Sequence, residues 1–234
     1  MNRIPSPSRR VAVFDFDKTL IDGDVAYLFM NTAIKASKLR RMAAGMLMPV
    51  LLPFLLIRSG RVVAVSVMLW IATFPLRGKT ARAVFCAFAA GVRSPPINVR
   101  FYDEGLKALA AHRRLGHRLL VISGSPQELV MQVAQPVLER DIEIIGSQIV
   151  PFMGGLIYRS YCMGPDKIKH ARKRGVLNKS WDYGYSDSAW DIPLLAHCRH
   201  RFLVNPDKKT IERTTAALGG RVTILNWTDT INNP

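Results

Sequence analysis

Two carboxylates stand two residues apart near the N-terminus, directly after a short apolar stretch. Asp15 and Asp17 lie in the sequence FDFDKT, and residues 11–14 before them read VAVF. Side chains two apart at the end of an extended strand point to the same face. Neighbouring carboxylates repel each other unless a cation lies between them, and hard oxygen ligands favour Mg²⁺ over Zn²⁺. The pattern therefore predicts a divalent metal site at a strand end.

Alternating strands and helices are expected to position these acids. Short apolar stretches typical of buried strands occur at residues 11–14, 118–122, 181–185 and 201–204. Helical patterns fall between them, at residues 105–114, 127–137 and 167–174. Residues 142–150 and 156–161 flank Gly154 and Gly155 and predict a hairpin-like pair. The alternation favours an α/β fold built on a parallel sheet flanked by helices.

Residues 22–98 have a different composition from the rest of the chain. They contain two apolar segments, at residues 42–57 and 62–76. Each segment is shorter than the ~20 residues that one helix needs to cross a bilayer, and Pro49 and Pro53 are expected to kink the first. Because both are apolar nearly all round, we favour a helical hairpin lying in, or dipping into, one leaflet of a membrane. The alternative is a helical cap whose apolar faces pack on the core.

The chain is strongly basic, with 33 Lys and Arg against 17 Asp and Glu and a formal net charge of +16. Such an imbalance favours anionic partners, namely nucleic acid, an acidic membrane surface or phosphorylated small molecules. A generally basic, solvated surface is the alternative. The basic residues bracket the apolar segments and do not alternate with aromatic residues, and no base-stacking motif is evident. We therefore expect a membrane surface and no nucleic acid, and no obligate protein partner is evident.

The cysteines and the N-terminus indicate in which kind of cellular compartment the protein is expected. Three cysteines are scattered along the chain without a C-x-x-C pair, which favours a reducing compartment. The first ten residues contain no apolar stretch of signal-peptide length, so secretion is not expected.

The sequence FDFDKTL resembles the first motif of the haloacid dehalogenase superfamily of phosphohydrolases, and three further motifs follow in the expected order. Ser123, after the stretch RLLVI, matches the second motif. Lys167, which opens a predicted helix, matches the third. Asp187 and Asp191 match the fourth, D-S-x-x-D. Two residues separate Gly184 from Asp187, whereas soluble relatives usually read G-D-S, and this departure affects the assignment of Asp187 alone.

This resemblance implies a magnesium-dependent phosphatase that forms a phospho-aspartate. Asp15 would be the nucleophile, and Asp17 would protonate the leaving oxygen and then activate water. The implied metal ligands are Asp15, the main-chain carbonyl of Asp17, and Asp187. Asp191 would help to position these ligands without binding the metal itself. The implied phosphate-binding residues are Thr19, Ser123, Gly124 and Lys167.

The resemblance also implies a domain arrangement and a substrate. Residues 1–21 and 99–234 would form a three-layer, Rossmann-like core, with residues 22–98 inserted after the first strand as a helical cap. The runs S-G-S-P-Q-x-L-V and G-Y-S-D-S-x-x-D-x-P-L-L are similar to the phosphatidylglycerophosphatase C family. That similarity implies conversion of phosphatidylglycerophosphate to phosphatidylglycerol at the cytoplasmic side of a bacterial inner membrane. The alternative is a soluble small-molecule phosphatase of the phosphoserine phosphatase type.

Overall fold

A computed structural model describes residues 9–95, 97–139, 141–177, 179–228 and 230–231. Its strands are β1 (Val11–Phe14), β2 (Phe101–Tyr102), β3 (Arg118–Pro126), β4 (Glu143–Phe152), β5 (Gly155–Ser160), β6 (Trp181–Ser186), β7 (Cys198–Val204), β8 (Thr223–Leu225) and β9 (Thr230–Ile231). Its α-helices are α1 (Val25–Lys35), α2 (Lys38–Leu56), α3 (Arg58–Thr73), α4 (Ala81–Gly91), α5 (Asp103–Arg114), α6 (Gln127–Ala134), α7 (Pro165–Lys173), α8 (Ile192–Ala196) and α9 (Lys208–Leu218). A 3-10 helix covers Ala189–Asp191.

Seven strands form one sheet in the order β5-β4-β3-β1-β6-β7-β8. Every neighbouring pair in it is parallel except β4 and β5, which form the expected antiparallel pair. β2 and β9 form a separate two-stranded antiparallel sheet. The predicted α/β class with a parallel sheet is confirmed. β3 runs four residues beyond the predicted apolar stretch, to Pro126, so the polar residues of S-G-S lie within a strand.

Both faces of the main sheet are covered. Along β1, Ala12 and Phe14 belong to one buried cluster and Val13 to the other. β3 alternates in the same way, with Val121 in the first cluster and Ile122 in the second. Because neighbouring side chains of a strand point to opposite faces, a sheet buried on both sides is the middle layer of three.

Helices α1 to α4 lie between β1 and β2 in the chain, and α3 is hydrogen-bonded to the β4–β5 hairpin. The Trp70 side chain donates to the carbonyl of Phe152 (3.0 Å), and Thr73 Oγ1 accepts from the main chain of Leu156 (2.9 Å). Trp70 also packs on Gly155, where an added Cβ would lie 2.6 Å from the indole ring. A residue larger than glycine at this position would therefore push α3 away from the hairpin.

Helix α2 is longer and more exposed than the sequence suggested. It begins at Lys38, four residues before the apolar segment, and continues through Pro49 and Pro53 over 19 residues. By length and composition alone it is sufficient to cross a membrane, and only 11% of its apolar window is buried. The prediction that both segments are too short was therefore wrong for α2. Its exposed apolar residues include Leu39, Met42, Met46, Val50, Leu52 and Leu56.

The two predicted apolar helices have different environments. α3 packs against β5, α1 and α2 and contributes buried side chains to the main core cluster, among them Leu69 and Ile71. α2 buries only Ala44 and Leu51. Core packing therefore describes α3, whereas α2 packs on α1 and α3 by one side and leaves most of its apolar side chains exposed.

A pair of buried histidines lies behind β6. His112 Nδ1 is 2.9 Å from His117 Nδ1, and His112 Nε2 is 3.0 Å from the hydroxyl of Tyr185. Burial, and in second place the neighbouring His117, lowers the pKa of His112 from 6.5 to about 4. The folded protein therefore binds a proton at His112 less readily than the unfolded chain does.

We expect this histidine to make stability depend on pH. Its contribution is complete above pH 6.5 and is lost as the pH falls from 6.5 to about 4. The stability advantage of the wild type over His112→Gln should therefore shrink by about 2 kcal/mol across that window. Chemical denaturation of both proteins at several pH values measures it, and the buried acids cancel in the difference. A constant difference would contradict the assignment of a neutral, buried His112.

Candidate active site

The predicted residues meet at the carboxyl ends of three adjacent strands. Asp15 follows β1, Asp187 follows β6, and Gly124 lies in the last part of β3. Crevices at this edge of open α/β sheets are the usual ligand sites. A cavity of about 400 Å³ opens there, and Lys167 from α7 reaches it as well. Residues far apart in the chain are thus brought together.

Lys167 forms the electrostatic centre of the cavity. It is 3% exposed, and its Nζ donates to Asp15 Oδ1 (2.7 Å) and Asp191 Oδ2 (2.6 Å). Burial acts to lower the pKa of Lys167, but the two carboxylates outweigh burial and raise it. The lysine is therefore held as a cation beside Asp15. Asp191 also accepts from Ser186 Oγ (2.8 Å), which fixes its carboxylate against the lysine.

Asp15 is a buried carboxylate surrounded by other charges. Burial raises its pKa well above the ordinary value, while Lys167 acts in the opposite direction. The nearby carboxylates of Asp191, Asp187 and Asp17 raise the pKa further, in that order of effect. Its main-chain N–H donates to the carbonyl of Tyr185 (2.9 Å), which ties the end of β1 to β6.

Asp17 is held by three hydrogen bonds. Its Oδ1 accepts from the main chain of Val25 at the start of α1 (2.8 Å), and its Oδ2 accepts from Ser123 Oγ (2.7 Å) and Ser125 Oγ (2.8 Å). Burial, followed by the charge of Asp24, raises the pKa of Asp17 to about 6 although these donors favour the anion. A carboxyl group with a pKa near neutrality is suited to exchange protons with a reacting group.

The residues around Asp15 fit Mg²⁺. In the described part of the chain, no group of three or more His, Cys, Asp or Glu side chains is placed to hold a metal ion. The predicted ligand set does not need three such side chains, because its third oxygen is the main-chain carbonyl of Asp17, beside the carboxylates of Asp15 and Asp187. Burial, followed by Asp191, raises the pKa of Asp187 to about 6. Several carboxylates in one cavity repel each other, and a bound cation would relieve this repulsion. Their oxygen atoms are suitable ligands for a hard divalent cation.

The four predicted phosphate-binding residues lie at different depths. Gly124 and Lys167 line the cavity. Ser123 and Thr19 are fully buried, and their hydroxyl groups face carboxylates: Ser123 donates to Asp17, and Thr19 Oγ1 lies 3.5 Å from Asp187 Oδ1. In this arrangement Ser123 and Thr19 orient the acids, and a contact of either hydroxyl with phosphate stays a prediction.

A family model for haloacid dehalogenase-like hydrolases matches residues 12–196, which include every acid and both lysines that line this cavity. The chain belongs to the haloacid dehalogenase-like hydrolase family. The predicted superfamily is therefore confirmed. Residues 22–98, the predicted cap, lie within the matched range.

Solved structures share the fold of this haloacid dehalogenase-like hydrolase. A protein of unknown function from Bordetella pertussis Tohama I superposes with a TM-score of 0.66 at 20% identity, covering 93% of this chain and 99% of that one. A phospho-aspartyl intermediate analogue of phosphoserine phosphatase gives a TM-score of 0.57 at 14% identity, covering 93% and 94% of the two chains. At such identities the similarity concerns the fold alone.

A curated relative from Mycobacterium tuberculosis, named "probable phosphatase", is 29% identical over 113 residues. The match covers 46% of this chain and 38% of that protein. The chain thus spans less than half the length of the curated relatives it matches.

Two serines of this hydrolase contribute to the site although sequence reasoning did not single them out. Ser125 donates to Asp17, and Ser186 donates to Asp191 (2.8 Å each). The spacing of Ser123 and Ser125 could have revealed the first, because residues two apart in a strand share a face. Ser186 is adjacent to Asp187, and only the tertiary structure directs its hydroxyl to Asp191.

Four aromatic side chains line the cavity together with the acids. Tyr158 and Tyr161 come from the hairpin region, Tyr27 from α1 and Trp190 from the 3-10 helix. The guanidinium of Arg61 in α3 lies 4.2 Å from the centre of a Trp190 ring. The cavity therefore combines carboxylates and Lys167 with aromatic side chains that are partly apolar.

Proposed function

We propose that this haloacid dehalogenase-like hydrolase is a phosphatase that cleaves phosphomonoesters through a phospho-aspartate at Asp15. The observation that carries the proposal is the position of Asp15 in the cavity, 2.7 Å from the Nζ of the buried Lys167. A nucleophilic carboxylate beside a fixed cation is the arrangement that phosphoryl transfer needs. The relative named as a phosphatase supports the same activity.

The proposed reaction has two balanced steps. An oxygen of Asp15 forms a bond to phosphorus while the ester P–O bond breaks, and Asp17 gives its proton to the departing alkoxide. Water then attacks the phosphorus of the acyl phosphate while the bond between phosphorus and the Asp15 oxygen breaks. Asp17 takes a proton from the attacking water, inorganic phosphate leaves, and Asp15 is again a carboxylate. Lys167 stays charged and stabilises the phosphoryl oxygens throughout. Bound Mg²⁺ would supply further positive charge at those oxygens.

We further infer that the substrate is a phospholipid monoester, with phosphatidylglycerophosphate as the specific candidate. Support comes from α2, whose outward apolar side chains include Met46 (71% exposed) and Leu52 (55% exposed). Basic residues bracket the apolar helices, among them Lys38, Arg41 and Lys79. An exposed apolar helix with flanking cations fits the surface of an anionic membrane. The partner would then be the cytoplasmic face of a bacterial inner membrane.

A soluble phosphate such as phosphoserine is the second candidate. The cavity of about 400 Å³ favours it, because that volume is typical of sites for small molecules. A lipid would place only its headgroup there and would leave its acyl chains outside. The two candidates therefore differ in whether surfaces outside the cavity take part in turnover.

Phosphate release in the presence of Mg²⁺ separates the candidates. We expect kcat/KM for phosphatidylglycerophosphate in vesicles to exceed that for phosphoserine by about 100-fold or more, since remote binding energy is available only with the lipid. The variant Met46→Gln/Leu52→Gln should lose much of the lipid activity and keep its activity on a small soluble ester. A higher kcat/KM for phosphoserine, or equal loss on both substrates, would contradict the lipid assignment.

A further inference from the structure

A second cavity, of about 1200 Å³, lies between α7, the β4–β5 hairpin and the turn that joins α2 to α3. We call it the basic groove because four Lys or Arg side chains line it: Arg159, Lys169, Lys173 and Arg174. One acid, Asp166, lines it too and is paired with Lys169 (2.7 Å). The groove therefore carries a net positive charge.

Part of this charge is uncompensated by the protein. No ion pair among the described residues includes Arg159 or Lys173, and both side chains are exposed. Arg174 donates to the neutral side chain of Gln127 (3.2 Å). Exposed cations held in one concave surface attract an anion more strongly than cations scattered over a convex one.

The apolar part of the lining indicates what kind of anion fits. Ile57, at the end of α2, and Val62, in α3, lie in the groove together with Ile149 and Val150 of β4. Ile57 is 57% exposed, and it continues the outward apolar surface of α2. Apolar side chains next to Lys and Arg are the combination found where a protein meets lipid headgroups and the upper part of the acyl chains.

The basic groove also adjoins the active-site cavity. Tyr161 lines both cavities, so they are separated there by a single side chain. A ligand bound in the groove would therefore lie next to the cavity that contains Asp15.

We propose that the basic groove binds the headgroup phosphates of an anionic phospholipid bilayer and orients the active-site cavity towards the lipid. The proposal rests on the lipid part of the proposed function and names a second contact surface for it. Arg159 and Lys173 supply the charge, and the end of α2 supplies the apolar contact. Single-stranded nucleic acid is bound through aromatic stacking platforms, and the ring side chains in the described lining are Tyr161 and His170, beside the aliphatic ones.

Cosedimentation with vesicles tests the groove. Vesicles of phosphatidylcholine are compared with vesicles of phosphatidylcholine and phosphatidylglycerol in equal amounts, at low and high salt. We expect Arg159→Glu/Lys173→Glu to bind the anionic vesicles about 10-fold to 100-fold more weakly than the wild type. The control Lys208→Glu/Lys209→Glu changes the net charge equally on α9, outside the groove, and should weaken binding less than about threefold because of screening.

The outcomes distinguish the groove from the catalytic proposal. Turnover of a small soluble phosphomonoester and the thermal midpoint are measured on the same samples, and both should be unchanged in the groove variant. Equal vesicle binding by the groove and control variants would overturn the groove, whatever the turnover. Loss of binding to a short DNA duplex with unchanged vesicle binding would overturn it in favour of nucleic acid. Failure of every sample to release phosphate would instead refute the catalytic proposal, and a groove-dependent difference in vesicle binding would still stand.

Discussion

Replacing Asp15 with Asn is expected to lower phosphomonoester turnover by roughly 10⁴-fold or more, the size of effect seen when a catalytic nucleophile is removed. The amide oxygen carries no negative charge and cannot form the acyl phosphate from which water displaces phosphate. Asn keeps nearly the same shape, and its amide oxygen can still accept from Lys167, which also keeps Asp191 as its ionic partner. The lost attraction of Lys167 is offset by relief of the repulsion from Asp191, Asp187 and Asp17 and by the easier burial of a neutral group. The loss should therefore appear in kcat with little change in the thermal midpoint.

A neighbouring acid supplies the control for this experiment. Asp22 accepts from the main chain of Arg100 (2.8 Å) and pairs with its side chain (3.3 Å). The variant Asp22→Asn should stay within a factor of about three of the wild type, since a partly exposed ion pair contributes little. Phosphate release and trapping of the labelled acyl phosphate provide the two readouts. If Asp15→Asn turned over at the wild-type rate, the proposed nucleophile would be wrong.

Replacing Lys167 with Met should reduce both activity and stability. The lysine is the cation nearest to Asp15, and removing one fixed positive group from a phosphoryl site costs about 10²-fold to 10³-fold in kcat. The substitution also leaves Asp15 and Asp191 buried without their shared partner, and breaking a buried ion pair in this way costs about 3 kcal/mol or more. Chemical denaturation and steady-state kinetics on a soluble ester measure the two effects.

The same helix provides a matched control for Lys167. Lys169 is two residues further along α7, and its side chain is 74% exposed while paired with Asp166. The variant Lys169→Met should change the free energy of unfolding by less than about 1 kcal/mol and leave turnover of a soluble ester unchanged. Similar behaviour of the two lysine variants would show that burial between carboxylates is not what makes Lys167 important.

The helices between β1 and β2 differ in how firmly they are attached to the rest of the protein. α3 is fixed to the β4–β5 hairpin through Trp70 and Thr73, and α1 is joined to Asp17 through the main chain of Val25. α2 packs on α3 and keeps most of its apolar side chains exposed. A partner bound to α2 would therefore be connected to Asp17, the proposed acid–base residue, through α2 and α1, which pack on each other.

Much of the core could be predicted from the sequence alone. Short apolar stretches followed by polar residues identified β1, β3 and β6, because a buried strand needs apolar side chains on both faces. The order of the motifs, which resembles that of the haloacid dehalogenase superfamily, predicted Asp15, Lys167 and Asp187 as site residues, and all three line one cavity. Both predictions use residue patterns that can be read along the chain without knowledge of its tertiary structure.

The tertiary structure decided which groups touch. Ser125 and Ser186 became partners of Asp17 and Asp191 because β3 ends beside β1 and the chain after β6 turns back. The spacing of Ser125 from Ser123 indicates a shared face of β3, but only the packing decides which acid each hydroxyl group meets. Whether α2 or α3 would be buried was also open, since both have similar composition. α3 docks on the β4–β5 hairpin and covers that surface of the core. α2 is therefore left outside, because one surface of the core can bury the face of only one helix.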